Sequence, residues 1–195
     1  NESSLIVASL SALETWRRYG HEVIVVDGNS SDLTAVLAEP LCDRIIRTKP
    51  GRAAQMNIGA AAATGDLLLF LHVDSRLPDN VEAELNMLAD DATEFWGRFD
   101  VRLDADRLVY RIIEALINWR SRITGIATGD QAIFVSRRLF KRCGGFPSIA
   151  LMEDIALSGL LRCHVRPVCI KSKLITSARR WQTNGVVKTV LTMWF

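Results

Sequence analysis

The run "LLLFL" (residues 67–71) constrains the fold most, because five apolar residues in a row leave the segment no polar face. A strand that is apolar on both sides belongs in a sheet whose two faces are both covered, as in parallel sheets flanked by helices. The run stops at His72 and Asp74, and Pro78 closes the following turn. A buried strand is therefore predicted to end in two side chains that can bind cations.

Strands alternate with helices in the first part of the chain. Two β-branched runs, "EVIVV" (22–26) and "RIIRT" (44–48), predict strands. A short capped helix ending at Pro40 and an alanine-rich helix over 52–65 lie between them and the apolar run. Because such strand–helix–strand connections are right-handed, they produce parallel neighbours. We expect an α/β fold with a mostly parallel sheet flanked by helices.

The second part is less regular, and six segments carry strand or helix patterns. They are a helix over 79–90, a strand over 95–103, a helix over 107–123, a short strand over 129–136, a helix with a glycine-rich stop over 137–147, and a helix over 151–163. The third segment has apolar residues at helical spacing, which we assign to the core: Leu108, Ile112, Ala115, Leu116, Trp119 and Ile123. No repeat or linker divides the chain, so we expect one domain.

Composition excludes several classes of protein. A length of 195 residues with 49% hydrophobic and 24% charged content suits one globular domain. A net charge of +2, with no run of Lys or Arg longer than two, argues against a nucleic-acid partner. The four cysteines are scattered, which favours reduced thiols over structural zinc. No apolar run reaches the roughly 18 residues of a membrane span. We expect a cytoplasmic protein, with attachment to a membrane surface as an alternative.

Side chains that can bind ligands follow two predicted strands. Asp27 ends one, and the His72 and Asp74 pair ends another. In open α/β sheets, ligands bind beyond the carboxyl ends of the strands, so these side chains should converge on one crevice. A single Asp at such a position also commonly caps a turn. Glu153 and Asp154 open a predicted helix, where acidic residues also complement the helix dipole.

Six segments in this order resemble the family 2 glycosyltransferases with the GT-A fold, and the resemblance covers nearly the whole chain. It is greatest to a small bacterial subgroup with an HxD motif, often found beside radical-SAM proteins. The segments are "VIVVDGNSSD", "GRAAQMNIGAAAATGDLLLFLHVDSRLP", "GDQAIFV", "GGFP", "LMEDIALS" and "RRW". The resemblance implies one Rossmann-like GT-A domain over 1–195, with a nucleotide-sugar-binding half (1–75) and an acceptor-side half (76–195).

The resemblance also implies an activity. Such enzymes move a sugar from a nucleotide diphosphate donor, usually a UDP-sugar, to an acceptor hydroxyl with inversion, typically with Mn²⁺ or Mg²⁺. Asp74 matches the last Asp of the family's DxD motif, and His72 stands at its first position. Manganese accepts an imidazole ligand more readily than magnesium does. His72 is either a metal ligand or a residue that orients Asp74 or the phosphates.

Three further positions match donor-binding residues of the family. Asp27 matches the acidic residue that faces the uracil or ribose. Arg52 matches a basic residue near the donor, and its place at a helix start suits a phosphate. Arg180, in "RRW", is expected to support the diphosphate or an active-site loop. The Gln of the QxxRW motif of processive relatives is absent, so processive synthesis is not supported.

The opposite side of the site needs a base that takes the acceptor's proton. Asp154 matches the family's catalytic base, with Glu153 as the second choice. Asp130 lies in the segment that lines the acceptor side in relatives. The acceptor itself is not identified, and a lipid or a saccharide would fit. Two alternatives stay open: a catalytically silent sugar-nucleotide-binding or scaffold module, and a nucleotidyltransferase of similar architecture.

The resemblance also bears on the two ends of the chain. In the family a central strand precedes the residues that match Asn1 and Glu2, so we expect the natural protein to begin upstream and the sheet here to have a gap beside residues 23–26. Residues 185–195 predict an apolar helix that packs on the domain, pairs with a second copy, or contacts a membrane surface.

Overall fold

The computed structural model describes residues 1–79, 81–91 and 93–184. The predicted C-terminal helix over 185–195 lies outside these residues. The helices are α1 (Ile6–Ser11), α2 (Glu14–Arg18), α3 (Thr34–Ala38), α4 (Arg52–Ala62), α5 (Val81–Asp91), α6 (Leu108–Thr124), α7 (Arg137–Arg142), α8 (Glu153–Arg162) and α9 (Arg179–Asn184). The strands are β1 (Ile24–Asp27), β2 (Arg44–Arg47), β3 (Leu67–Phe70), β4 (Ser75–Arg76), β5 (Trp96–Leu103), β6 (Ile133–Ser136) and β7 (Val168–Thr176).

The strands form two sheets, and the α/β class is confirmed. One sheet is the parallel pair β1–β2, and the other has the order β3–β6–β5–β7–β4. The mostly parallel pairing that we expected is wrong for the described strands, because β6 runs antiparallel to both β3 and β5 and β4 runs antiparallel to β7. Only β1–β2 and β5–β7 are parallel among these pairs. Among the described strands, β1 pairs only with β2, and its other edge, beside which we expected a gap, has no partner there.

The direction of β6 determines where the loop between α6 and β6 lies. Phe70, at the end of β3, pairs with Ile133, at the start of β6. The connection from α6 to β6 must therefore cross the carboxyl end of β3 before the chain enters the sheet. A short 3-10 turn over Gly129–Gln131 lies in this connection. The antiparallel strand thus brings that turn to the place where His72 follows β3.

The two faces of β3 are both covered, as its apolar sequence predicts. Leu68 packs in a cluster with Ala53 and Ala60 of α4. Leu67 and Leu69 contact a second cluster, formed mainly by α5, β5 and β7. This double burial explains why the strand has no polar side. Within the described ranges, none of the helices is both long and apolar enough to cross a bilayer.

The predicted core stripe of α6 is wrong. Leu108 is 76% exposed and Trp119 is 64% exposed, and Ile112, Leu116, Ile123 and Ala115 are exposed with them. The helix instead buries its other side, with Tyr110, Ile113 and Ile117 packed against β5.

Polar groups explain the choice of face. The Glu114 carboxylate accepts a 2.7 Å hydrogen bond from the backbone N–H of Leu103. The Asn118 side chain accepts a 2.9 Å hydrogen bond from the backbone N–H of Val101. Because buried backbone groups of β5 need partners, the side of α6 that carries Glu114 and Asn118 faces the strand. The more apolar side of α6 therefore faces away from the core.

Two glycine substitutions should have opposite effects on stability. A methyl group built on Gly97 of β5 overlaps the carbonyl oxygen of Val168 and the ring of Phe134, whereas one built on Gly159 of α8 meets nothing within 4 Å. We expect Gly97→Ala to lower the free energy of unfolding by roughly 2 kcal/mol or more, because β5 and β7 must separate. Gly159→Ala should raise it by about 0.5–1 kcal/mol, through helix propensity.

Urea denaturation of the two variants and the unchanged chain measures both effects. Equal midpoints for the two variants would contradict this packing of β5 against β7.

Candidate active site

An open cavity of about 310 Å³ lies beyond the carboxyl end of β3. Its walls include the predicted residues His72, Asp74 and Asp130. The other lining residues come from α9 and the segment just before it, and they are Ser177, Arg179, Trp181 and Thr183. This volume is at the lower end of the range for small-molecule sites. Three of the predicted site residues therefore share one cavity.

A narrower cleft adjoins the cavity through His72. Its lining includes Arg52, Gly129, Glu153 and Asp154. The two spaces together bring six predicted site residues into one region. These residues are Arg52, His72, Asp74, Asp130, Glu153 and Asp154.

Arg52 bridges the end of β3 and the start of α8. Its Nη2 lies 2.6 Å from Nε2 of His72, and its Nε lies 3.1 Å from Oε1 of Glu153. A guanidinium only donates hydrogen bonds, so Nε2 of His72 must be the acceptor. The ring proton is then on Nδ1, which faces the Asp130 carboxylate at 3.7 Å. This geometry specifies one neutral tautomer of His72.

Glu153 is the most deeply buried acidic residue of the site. Its side chain is 3% exposed, whereas that of Arg52 is 45% exposed. Oε1 is shielded from solvent and receives no hydrogen bond of good geometry from the described residues. The ion pair with Arg52 therefore offsets the free-energy cost of burying this charge. A buried carboxylate is costly unless it is paired. Glu153 thus restrains Arg52 from inside the protein.

Asp154 is held by the backbone. Its Oδ2 accepts a short hydrogen bond from the N–H of Gly129, and its Oδ1 accepts one of 2.7 Å from the N–H of Ile155. Burial lowers the pKa of Arg120, on α6, and the charge of Asp154 acts in the opposite direction. Arg120 is a site neighbour that our sequence reasoning missed, because it lies within the pattern of a core helix.

Gly129 is the second residue that sequence reasoning missed. A Cβ atom there would lie 2.6 Å from Cε1 of His72 and 3.1 Å from Nη2 of Arg52. Only glycine lets the backbone approach the imidazole and hold Asp154 at the same time. The "TGD" sequence is a signal for this loop, but it does not indicate which ring would contact it.

Residues with strained backbone lie close to several of the predicted site residues. Among the described residues, the non-glycine residues with positive φ are Asn29 (66°), Ala132 (45°) and Met152 (66°). Asn29 follows Asp27 closely, Ala132 follows Asp130, and Met152 directly precedes Glu153. Such conformations cost energy and concentrate at functional sites. Each of them flanks a predicted site residue.

One predicted residue, Asp27, is not brought into this cluster. Asp27 is 6% exposed at the end of β1, where its carboxylate accepts a 3.0 Å hydrogen bond from the N–H of Ser30. It lines neither the cavity nor the cleft. The side chain of Arg180 lies outside the described residues. Its neighbour Arg179 lines the cavity and pairs with Glu2 at 3.2 Å.

A divalent cation fits this site only with help from a substrate. Among the described residues, no group of three His, Cys, Asp or Glu side chains is arranged to hold a metal. Asp74 and His72 offer two donors on the cavity wall, and Nε2 of His72 contacts Arg52. Magnesium-type sites commonly combine one or two carboxylates with substrate phosphates and water. Two side-chain donors do not complete the coordination of such a cation, so substrate oxygens or water would have to supply the remaining ligands.

Comparison with known proteins identifies the family. Residues 1–143 match the model of Glycosyl transferase family 2, which is well over half of the chain. The chain therefore belongs to the family 2 glycosyltransferases. A search of curated proteins finds no significant match.

Solved structures support the GT-A fold. S. aureus TarS 1-349 has a TM-score of 0.67 at 16% identity, over 91% of this chain and 58% of that one. The mannosyltransferase PcManGT from Pyrobaculum calidifontis, in complex with GDP-Man and Mn²⁺, has a TM-score of 0.67 at 21% identity, over 90% of this chain and 53% of that one. M. tuberculosis glucosyl-3-phosphoglycerate synthase has a TM-score of 0.64 at 17% identity, over 89% of this chain and 67% of that one. The chain thus spans little more than half of the first two proteins.

The Arg52 contact makes a prediction about the His72 ring. Proton–nitrogen NMR of labelled protein should show the proton of His72 on Nδ1, because Nε2 accepts from Arg52. In Arg52→Met the acceptor role of Nε2 is lost, so the tautomer should no longer be fixed. His164 is the matched control, since its ring has no such contact with Arg52, and its signals should not change. A protonated Nε2 in the unchanged protein would contradict the arrangement.

Proposed function

We propose that the protein transfers a sugar from a nucleotide diphosphate donor to an acceptor hydroxyl, with inversion at the anomeric carbon. The observation that carries the proposal is the placement of two carboxylates on either side of His72. Asp74 lies on the open cavity, and Asp154 lies on the adjoining cleft. One carboxylate is thus available for a metal–diphosphate and the other for the acceptor.

On the donor side, the diphosphate occupies the cavity between the end of β3 and the start of α9. Asp74 would hold the divalent cation, and His72, at the first position of an HxD motif, is the second candidate ligand. A bound Mn²⁺ or Mg²⁺ neutralises charge on the leaving diphosphate as a Lewis acid. Arg179 and Arg52 add positive charge on two sides of the phosphates. Arg180 is expected to support the diphosphate or an active-site loop, and Asp27 is expected to face the uracil or ribose of the donor.

Arg52 and His72 are expected to exchange partners when donor binds. A metal on Nε2 of His72 would need the hydrogen bond from Arg52 to break, because one lone pair cannot serve both. The freed Nη2 of Arg52 can then donate to a phosphate oxygen, while Glu153 keeps hold of Nε. Glu153 is therefore a positioning residue, which acts through Arg52.

On the acceptor side, Asp154 is the base. Its carboxylate takes the proton of the acceptor hydroxyl while the hydroxyl oxygen attacks the anomeric carbon and the bond to the diphosphate breaks. The hydrogen bonds from Gly129 and Ile155 fix its orientation. Asp130 holds a hydroxyl of the acceptor or of the sugar. A saccharide or a lipid could supply the attacking hydroxyl.

The solved relatives suggest which donors to test first. TarS has been solved with UDP-GlcNAc, and the M. tuberculosis synthase with Mn²⁺, UDP-Glc and phosphoglyceric acid. PcManGT has been solved with GDP-Man and Mn²⁺. We therefore place UDP-sugars first and GDP-sugars second. The placement of Asp154 favours an enzyme over a silent binding or scaffold module, which would need no carboxylate opposite the diphosphate.

Metal-dependent nucleotide binding tests the donor side. Titration calorimetry with UDP should show binding that needs Mn²⁺, and Asp74→Asn should lose it, because the carboxylate that holds the cation is gone. Asp79→Asn is the matched control, since Asp79 is exposed a few residues further on and should tolerate the change. Equal binding by the unchanged chain and Asp74→Asn would contradict the metal role. GDP in place of UDP tests the second donor class.

Substitutions of the two neighbouring acidic residues of α8 should affect different kinetic and binding constants. Asp154→Asn should lower kcat by about 10²–10⁴, as expected when a general base is removed, with donor affinity kept. Glu153→Gln should mainly weaken donor binding, because Arg52 loses its buried partner. Release of UDP from UDP-sugars, measured with a panel of acceptors, gives kcat, and calorimetry gives affinity. A loss of kcat in Glu153→Gln with full activity in Asp154→Asn would reverse the assignment.

A further inference from the structure

The outward face of α6 is an apolar surface that the proposed activity does not use. Its residues recur at alternating spacings of three and four, which is the seam pattern of paired helices. The seam consists of Val109, Ile112, Leu116, Trp119 and Ile123. Leu108, 76% exposed, extends it at the start of the helix.

The surface is too large to be incidental. These six side chains are 38–76% exposed. Side chains of this size add up to an accessible area on the order of 700 Å², close to the roughly 800 Å² that each partner of a standard-size interface buries. Monomeric proteins seldom expose a contiguous apolar patch of more than about 300–600 Å². The face therefore has the dimensions of one half of a protein–protein interface.

The charges beside the seam favour a protein partner over a membrane. A helix that lies on an anionic membrane presents free Lys and Arg to the head groups. Here Arg111 contacts Glu114 at 3.1 Å, and Arg122 contacts Asp100 at 2.6 Å. These arginines already have acidic partners inside the protein. Two of the arginines that flank the seam are thus neutralised, as the edge of an apolar interface should be.

We propose that two copies of the protein pair through α6, with the helices antiparallel about a two-fold axis. Leu116 is the midpoint of the seam and lies at the axis. Antiparallel pairing sets Ile112 of one copy opposite Trp119 of the other, and Val109 opposite Ile123. Large residues then meet smaller ones along the contact, and the same face serves both copies, as an isologous interface requires.

The pairing would also support the active-site loop. α6 ends at Thr124 and is capped by Gly125, and the chain then continues to Gly129, whose N–H holds Asp154. Arg120, near the end of the helix, interacts with Asp154. A helix braced by a second copy therefore holds one wall of the cleft. The pairing itself does not depend on which reaction the site performs.

Light scattering coupled to gel filtration tests the pairing with the full chain. The unchanged protein should be a dimer, and Leu116→Glu should be a folded monomer with the same far-UV circular dichroism, because the residue is 48% exposed in the single chain. Its melting temperature should be lower than that of the dimer, since the stabilisation by the partner copy is lost. Met87→Glu is the matched control, since Met87 is 72% exposed on α5, away from α6. It should stay dimeric. The proposal would be overturned if the unchanged protein were monomeric. This holds whether the monomer stays free or binds vesicles of anionic phospholipid.

Cross-linking tests the antiparallel geometry. In a Cys163→Ser background, which removes the exposed native thiol, Leu116→Cys should form a disulfide between copies under mild oxidation. Val109→Cys should cross-link far less, because its counterpart is Ile123 and not itself. Val109→Cys combined with Ile123→Cys should restore the cross-link. Equal cross-linking by the two single variants would overturn the antiparallel arrangement.

Discussion

The ion pair between Arg52 and the buried carboxylate of Glu153 is the constraint on which the site depends. The carboxylate is shielded from water, so it stabilises the protein only while Arg52 stays beside it. Arg52 opens α4 and Glu153 opens α8, so the pair ties two helix starts to the same point. His72 completes the arrangement by accepting from the other side of the guanidinium. Residues from three distant parts of the sequence are thereby held within one cleft.

The antiparallel entry of β6 explains why those parts meet. Since β6 starts where β3 ends, the loop that precedes β6 passes over His72. Gly129 lies so near the His72 ring that a Cβ atom would overlap it, and its N–H holds Asp154. The same loop is joined to α6, whose outer face carries the proposed dimer seam. The residues proposed to bind the donor, the proposed base and the proposed interface are thus connected through one short segment.

The sequence predicted the elements whose signal is local. The apolar run of β3, the alanine-rich α4 and the acidic start of α8 are all present, and most of the predicted site residues meet as expected. Long-range pairing was harder to predict. The face of α6 was assigned wrongly because Glu114 and Asn118 point inward to satisfy the backbone of β5, a demand that periodicity does not show. The strand β7 was missed because lysines and a register shift against β5 interrupt its pattern.

The most direct test of the account is the position of the metal–nucleotide complex. Mn²⁺ broadens the NMR signals of nuclei near it, so the backbone amide spectrum with Mn²⁺ and UDP locates the cation. The account predicts the strongest broadening at residues 72–74 and 129–130, and little on the outer face of α6. Broadening centred elsewhere, or no effect of UDP on the pattern, would contradict the assignment of this site to a metal–diphosphate donor.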